Sequence, residues 1–272
     1  MNSKVSMQAL ATEAETLQEW AAGVDVDPKK REAEVARRAS ALARYHQAPE
    51  PQRLSSEDIV LFVGKRKTRK STRAKALADR CHKSRQRVLV LDPHDEWSIH
   101  GAKSPEVILG PCTQRFDAWQ VLSQPRLLED PRLFAAVVPA SQAPEDWAKV
   151  FGKIVERSLE EGDLVLFLEE FGSWCEFVAK LMGAAALNSR HYGVPMVAVS
   201  QRAKRITINF RSQATHVNSG TQNEDDDLTA LEELAGKPFA GIVKRLPRGE
   251  YAHWRDTPPE PQAGPHRRKR SP

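Results

Sequence analysis

The sequence lacks any long apolar segment. No run in its 272 residues approaches the roughly 18 consecutive apolar residues that a membrane-spanning helix needs. The first residues, MNSKVSMQALATEAETL, also contain no apolar signal core. These absences predict a soluble protein without a membrane span, which stays in the compartment where it is made.

Cysteine is also scarce, with only Cys81, Cys112 and Cys175 in the whole chain. They stand far apart and form no CxxC pair, so the sequence indicates neither a disulfide framework nor a zinc site. We expect reduced and mostly buried thiols. The chain shows no internal repeat, and its length suits one large domain with small appendages.

Positive charge is concentrated in one region. The chain carries a formal net charge of +5, but residues 64–90 contain eleven Lys or Arg and one Asp, a local net of +10. This basic block favours a polyanionic partner: nucleotide phosphates, nucleic acid or both. A solvated helix face is the alternative, because short basic runs are common on protein surfaces.

Composition divides the chain into four parts. Residues 1–47 are rich in Ala, Glu and Arg and are predicted to be helical, and residues 48–57 form a linker that begins with alternating prolines. Residues 58–256 form the main domain. Residues 257–272 contain five prolines and the basic run Arg267–Arg270. Because that composition cannot bury a core, we expect a disordered basic tail.

Apolar strand-like runs alternate with helix-like periodicity through the main domain. This alternation predicts an α/β sandwich with a mainly parallel sheet. A hairpin is predicted at 242–254, around the turn at Pro247 to Glu250. The predicted strands are 59–63, 88–91, 133–138, 164–168, 194–199 and 215–217, and the predicted helices are 70–84, 144–161, 174–190 and 225–235.

The first chemical motif follows the first predicted strand and opens the first predicted helix. The P-loop pattern there is G-x-x-x-x-G-K-[ST], whose amides and lysine hold phosphates and whose hydroxyl binds Mg²⁺. Gly64, Lys70 and Ser71 match it, but Arg69 stands where the second glycine belongs. A basic strand–helix turn that touches nucleic acid directly is the alternative. The candidate nucleotide-binding residues are Gly64, Lys65, Arg66, Lys67, Thr68, Arg69, Lys70, Ser71 and Thr72.

The second motif is the apolar run 164–168 followed by Glu169 and Glu170, a pattern typical of a Walker B strand. We assign Glu169, with Ser71, to Mg²⁺ and Glu170 to the attacking water. A buried strand that ends in surface acids is the bland alternative.

Two further strands end in polar residues. Asp92 to Trp97 follow the second strand at the ligand edge of such a sheet, although Asp-Pro also favours a simple turn. Gln201 follows the strand 194–199, where its amide could orient water or sense the γ-phosphate. A strand-end hydrogen bond to backbone is the alternative for Gln201.

Together these motifs resemble the FtsK–HerA superfamily of DNA-pumping ATPases. The segments that carry the resemblance include VLVLDPHDEW (88–97), LNSRHYGV (187–194), SQR (200–202), THV (215–217) and LPRGEY (246–251), and it covers roughly residues 57–256. The resemblance implies a RecA-like P-loop NTPase fold that uses ATP and Mg²⁺. It also implies a homo-oligomeric ring in which an arginine reaches the neighbouring site, for which Arg190 and Arg202 are the candidates.

The function implied is ATP-driven translocation of double-stranded DNA, which packages a viral or prophage genome into a capsid. The protein would then act in the host cytoplasm or in the virion, with capsid or portal-vertex proteins as further partners. The basic tail and part of the basic block are expected to contact DNA phosphates, because no acidic residues nearby neutralise them. Two alternatives remain: a degenerate P-loop protein that binds nucleic acid without hydrolysis, favoured by Arg69, and a phage assembly ATPase of the zonular-occludens-toxin-like type, which usually carries a membrane helix.

Overall fold

The structure is a computed structural model that describes residues 53–98, 111–247 and 249–256. The predicted helical region 1–47, residues 48–52 of the linker and the predicted basic tail 257–272 lie outside the described residues. No helix in the described part is both long and apolar enough to cross a membrane.

One eight-stranded sheet organises the domain, with the strand order β3-β4-β2-β5-β6-β1-β7-β8. Every neighbouring pair is parallel except β7 and β8, which are antiparallel. The carboxyl ends of β2, β5, β6 and β1 therefore lie along one edge of the sheet, which we call the carboxyl edge. The amino ends of the same strands lie along the opposite edge, which we call the amino edge. The strands are β1 Ile59–Val63, β2 Arg87–Leu91, β3 Gln114–Asp117, β4 Phe134–Val138, β5 Leu164–Leu168, β6 Met196–Ser200, β7 His216–Gly220 and β8 Tyr251–Arg255.

Helices cover both faces of the sheet. One face packs against α1 through Ala74, Leu77 and Cys81, and the other packs against α2, α3, α5, α7 and α8. The helices are α1 Lys70–Lys83, α2 Ala118–Ser123, α3 Pro144–Glu161, α4 Phe171–Trp174, α5 Ala179–Asn188, α6 Ile208–Arg211, α7 Asp225–Ala235 and α8 Lys237–Arg245, with 3-10 segments at Pro125–Glu129, Cys175–Val178 and Ser189–Tyr192. The predicted α/β sandwich with a mainly parallel sheet is confirmed.

The central elements follow directly from their side chains. Strands β1, β5 and β6 are buried at every position, because a parallel sheet covered on both faces requires uninterrupted apolar runs. Helix α3 begins at Pro144, whose missing N–H costs nothing in the first turn, and ends before Gly162 at φ 69°.

The hairpin predicted at 242–254 is wrong. The segment Lys237–Arg245 is the helix α8, with Pro238 in its first turn and Phe239, Ile242 and Val243 buried at helical spacing. The strand at Tyr251–Arg255 exists, but it pairs with β7 instead of with the segment before the turn.

Two other parts of the helical layer differ from expectation. The helix predicted at 174–190 is divided into the end of α4, a 3-10 segment and α5. The sequence also gave no sign of β3 or α2. In β3, the side chains alternate between exposed and half-buried, as expected of an edge strand that has only Phe116 to mark it.

The amino edge is closed by contacts within the chain. Arg87 donates hydrogen bonds to the carbonyl oxygens of Leu128 (2.7 Å) and Gly162 (2.6 Å) and pairs with Glu161 at 3.0 Å. The Gln86 amide pairs with both backbone groups of Leu54, which brings residues 53–57 against the domain. These basic and polar groups at the amino edge are therefore committed to folding.

A contact between the half-buried Asp58 and the buried His216 lies at the same edge. Asp58, just before β1, lies 3.4 Å from Nε2 of His216 and accepts a hydrogen bond from the Ser55 N–H at 2.7 Å. Burial alone would raise the pKa of Asp58, but the hydrogen bonds from His216 and Ser55 lower it below its ordinary value. The edge thus satisfies its charged groups internally.

Candidate nucleotide site

The loop between β1 and α1 has a backbone suited to phosphate binding. Gly64 lies at φ 149° and Arg69 at φ 64°, ψ 19°, in the left-handed region, directly before the first turn of α1. A residue with a Cβ is strained there, by about 1–3 kcal/mol. Arg69 therefore adopts the backbone shape that the missing glycine normally provides, and the loop amides precede a helix N-terminus.

The loop is packed tightly against the end of β7. Thr68 is buried, and its hydroxyl donates to the carbonyl oxygen of Lys65 at 2.8 Å. A Cβ placed on Gly220 would come within 2.6 Å of the Thr68 Cβ, so only glycine fits at that position. The Lys65 N–H donates to the Thr221 carbonyl at 3.5 Å. The loop conformation is therefore supported by β7.

The predicted magnesium ligands lie next to each other. The Ser71 hydroxyl donates to Oε1 of Glu169 at 2.9 Å, although the two residues are 98 positions apart in the chain. Glu169 is only 4% exposed, and burial raises the pKa of its carboxyl to about 8, while the positive charge of Lys70 acts in the opposite direction. A buried acid is thus placed beside the loop lysine and the loop serine.

The chemistry of these groups fits a divalent cation. Oε2 of Glu169 is buried and has no hydrogen-bond partner among the described residues. A buried carboxylate oxygen without a partner is costly, and a hard cation with oxygen ligands would satisfy it and favour its ionised form. Ser71 and Glu169 therefore fit the Mg²⁺ that accompanies ATP.

The second acid of the motif meets the predicted amide. Gln201 Nε2 donates to Oε1 of Glu170 at 2.9 Å, which joins the end of β6 to the end of β5. Glu170 also has a left-handed backbone, φ 47° and ψ 33°, which turns the chain sharply into α4. The Glu170 carboxylate, one residue after the cation ligand Glu169, thus lies beside the Gln201 carboxamide.

The two candidate arginines lie in different places. Arg202 donates to Oδ2 of the fully buried Asp227 at 2.9 Å, so it is paired within its own chain. Arg190 is exposed on the 3-10 segment before β6, at the amino edge. Because the whole of β6 lies between Arg190 and the carboxyl edge, Arg190 lies at the opposite end of that strand from the phosphate loop of its own chain.

Asp92 lies at the end of β2, beside β5. The register pairs Leu91 with Leu168, and the fully buried Asp92 accepts hydrogen bonds from the N–H groups of Trp97 (2.8 Å) and His94 (3.3 Å). Burial raises its pKa to about 6 despite these bonds. Both interpretations of this segment therefore apply. Residues 92–97 form a turn, and that turn lies at the carboxyl edge of the sheet, where a ligand would bind.

The remaining loop side chains are at its rim. Arg66, Lys67, Arg69 and Thr72 are exposed, and Lys65 is half-buried. Lys65 also forms an ion pair of 3.6 Å with Glu224. The charged groups of Arg66, Lys67 and Arg69 are therefore accessible to a polyanion that approaches the loop from solvent.

Much of the basic block on α1 is already engaged, which corrects the expectation that no acidic residue nearby neutralises it. Lys83 pairs with Asp79 at 2.6 Å, and Lys75 donates to the Glu96 carbonyl at 2.6 Å. Arg73 lies against the ring of Tyr251, and burial lowers its pKa to about 9. Asp79 stands four residues before Lys83 in the same predicted helix, so the sequence alone could have predicted this ion pair.

Sequence reasoning missed the segment after β7. Gln222 donates to the Gln201 carbonyl at 3.2 Å, and Asp227 binds both Arg202 and the Lys204 N–H. An acidic helix start was visible at 225–227, but nothing in the sequence showed that β7 lies beside β1.

No protein-family model matches the chain, and no curated protein matches it. Solved structures of the genome-packaging NTPase B204 from Sulfolobus turreted icosahedral virus 2 do resemble it. The complex with AMPPCP has 16% identity and a TM-score of 0.53, covering 74% of this chain and 93% of that one. The complex with ATP-gammaS has 18% identity and a TM-score of 0.53, covering 74% and 94%. The complex with sulfate has 17% identity and a TM-score of 0.53, covering 74% and 92%. The chain therefore shares the fold of this NTPase, which confirms the P-loop NTPase fold that its motifs predicted.

Proposed function

We propose that this protein is an ATPase that translocates double-stranded DNA and packages a viral or prophage genome into a capsid. The observation that carries the proposal is the placement of Glu169 and Glu170, one against Ser71 of the phosphate loop and the other against Gln201. The resemblance to a genome-packaging NTPase seen with ATP analogues supports the choice of nucleotide and of biological role.

ATP binding is assigned to the loop 64–72. Its amides and the N-terminus of α1 attract the phosphates, and the Lys70 ammonium neutralises their charge. Ser71 and Glu169 would hold Mg²⁺, which would supply Lewis-acid polarisation of the phosphate oxygens. Arg69 and the other exposed cations of the rim add long-range attraction for the nucleotide.

Hydrolysis is assigned to Glu170 and Gln201. A water oxygen bonds to the γ-phosphorus, the bond to the β–γ bridging oxygen breaks, and ADP leaves with that oxygen. Glu170 orients the water and accepts its proton, as general bases do. The hydrogen bond from Gln201 holds the carboxylate in one orientation before the reaction.

A ring of identical subunits is part of the proposal. Arg190 is exposed and lies at the opposite end of β6 from the phosphate loop of its own chain, so it is available to a neighbouring molecule. Arg202 would first have to leave Asp227. We therefore favour Arg190 as the residue that stabilises the charge of the transition state in trans, and we retain Arg202 as the second candidate.

Double-stranded DNA is the proposed polymer substrate, with capsid or portal-vertex proteins as further partners. Positive charge on the chain suits a phosphodiester backbone, which is read through charge without base contacts. Because several block residues are paired internally, the DNA contacts are assigned to the cations that are exposed, such as Arg85, and to the basic run Arg267–Arg270.

A passive nucleic-acid-binding protein is the second candidate function, and Arg69 is the observation in its favour. A side chain at the second glycine position restricts close approach of the phosphate to the loop. A phage assembly ATPase of the zonular-occludens-toxin-like type is a third, but it usually carries a membrane helix, which the described residues do not contain.

Steady-state ATP hydrolysis with and without duplex DNA separates these candidates. A translocase must couple turnover to its polymer, so duplex DNA is expected to stimulate hydrolysis and single-stranded DNA of equal length to do so less. The same DNA affinity with and without ATP, with no stimulated hydrolysis in an assembled oligomer, would favour the passive binder instead.

A further inference from the structure

Gln222 is a buried amide that the mechanism above does not use. It is the second residue after β7 and has no exposed surface. Its Nε2 donates to the backbone carbonyl of Gln201 at 3.2 Å. Its Oε1 is buried and has no hydrogen-bond partner in the part of the chain that the structure describes.

Such a half-satisfied amide is unfavourable for folding. An unmet buried acceptor costs the full desolvation of that group, whereas an apolar side chain of similar size carries no such cost. Methionine would fill the same space as Gln222 without an unpaired oxygen. Stability therefore does not explain this amide, and its hydrogen bond to Gln201 connects it to the proposed hydrolytic residues.

That hydrogen bond lies where the sheet no longer controls the backbone. The last pairing of β6 with β1 joins Val63 to Ser200, so the ladder ends one residue before Gln201. Beyond that point, Gln222 holds the Gln201 carbonyl, and the Gln201 side chain holds Glu170. A chain of two amides therefore runs from the end of β7 to the proposed general base.

The neighbours of Gln222 hold the phosphate loop. The Thr221 carbonyl accepts from the Lys65 N–H, and Glu224 pairs with the Lys65 ammonium. Gly220 packs directly against Thr68 of the same loop. Gln222 is thus the member of this segment that contacts Gln201, while its neighbours contact the phosphate loop.

We propose that Gln222 is a positioning residue for hydrolysis, which holds the backbone of Gln201 so that the Gln201 amide orients Glu170. The inference rests on the proposed ATPase function and adds a residue to that same site. Its role is to act through Gln201, without contact to the nucleotide.

The test is a double-mutant cycle on the full-length chain, with Gln222→Met, Gln201→Met and the double variant. Gln222→Met is expected to lower kcat about 10-fold or more, since small misplacements of a catalytic group have effects of that order. Its Kd for ATP should equal that of the wild type, and its thermal unfolding midpoint should be no lower than that of the wild type. In the Gln201→Met background, Gln222→Met should cause no further loss, because its effect passes through Gln201.

Gln222→Asn provides a second variant that is smaller and withdraws the amide from the Gln201 carbonyl, and it should lose kcat in the same way. Wild-type kcat in both variants, or additive losses in the cycle, would overturn the positioning role while leaving the ATPase assignment intact. Absence of DNA-stimulated turnover in the wild type would overturn the ATPase assignment and the positioning role together.

Discussion

The two edges of the sheet differ in whether their polar groups find partners within the chain. At the amino edge, Arg87 has four internal acceptors within 3.2 Å, and Asp58 accepts from the chain around it. At the carboxyl edge, Glu169 and Gln222 each leave a buried oxygen without a partner among the described residues. Arg87 and Asp58 contribute no atom to that unpartnered set.

This difference indicates that the two edges contribute differently to stability and to function. A satisfied buried charge favours the folded state, whereas an unmet one opposes it. Groups that oppose folding are retained where they serve a functional site. We therefore expect changes at the internally paired groups of the amino edge to alter stability and changes at the carboxyl edge to alter ATP binding and turnover. The following variants test that division.

Glu170→Gln should have the largest effect. It removes the proton acceptor but keeps the shape and the hydrogen bond with Gln201, so kcat should fall by about 10²–10⁴. ATP binding and the unfolding midpoint should remain as in the wild type. Glu156→Gln, on the exposed side of α3, is the matched control and should change neither quantity. Equal turnover in Glu170→Gln and wild type would assign the base to another residue.

Lys70→Ala should weaken ATP binding by about 100-fold, which corresponds to about 3 kcal/mol for a contact between charged groups. Calorimetric titration measures this directly. Lys153→Ala, an exposed lysine of α3, removes the same charge away from the loop and should bind ATP normally. If both variants bind as tightly as the wild type, the loop is not the phosphate site.

Arg87→Met should destabilise the fold by about 2–4 kcal/mol, because it leaves several carbonyl groups and Glu161 without their partner. Chemical denaturation measures the loss. Below the unfolding transition, kcat and the Kd for ATP should be unchanged, in contrast to the two variants above. Arg157→Met, whose pair with Glu160 is exposed, should have little effect on stability. A large loss of kcat at full occupancy of the folded state would contradict the division between the edges.

Arg69→Gly, also at the carboxyl edge, should have the smallest effect of these variants. Glycine relieves the left-handed strain and allows closer approach of the phosphate, so ATP should bind a few-fold more tightly. Lys67→Gly is the matched control, since Lys67 is also exposed with φ 66° but does not occupy the glycine position. Weaker binding in Arg69→Gly alone would mean that the guanidinium charge matters more than the backbone.

The parts of the fold that were predictable are those that one local pattern determines. Strand β5 is a continuous apolar run, and α3 repeats its apolar residues at helical spacing, so both were placed to the residue. Helix α8 is short, and its Ile242 and Val243 resemble a strand when they are separated from Phe239. Strand β3 is held by pairing with β4, which no local pattern encodes.

The site was predictable to the same extent. Loop 64–71 and the acids Glu169 and Glu170 stand at strand ends, so their chemistry was visible in the residue types and their order. The contributions of Gly220 and Gln222 depend on β7 lying beside β1, although more than 150 residues separate these strands in the chain. The orientation of Arg202 toward Asp227 likewise depends on how the loop after β6 meets α7.

Thermal unfolding of the full-length protein with ATP and Mg²⁺ tests most directly whether the carboxyl edge, with its unmet Glu169 oxygen, binds a nucleotide. A ligand at 100 times its Kd stabilises the folded state by about 2.7 kcal/mol, a rise of roughly 5–10 °C in the unfolding midpoint for a domain of this size. We predict such a rise with ATP and Mg²⁺, a smaller one with ATP and EDTA, and a rise of about 1 °C at most in Lys70→Ala, whose binding is expected to be about 100-fold weaker. An unchanged midpoint in the wild type at millimolar ATP and Mg²⁺ would contradict the assignment of this edge to ATP.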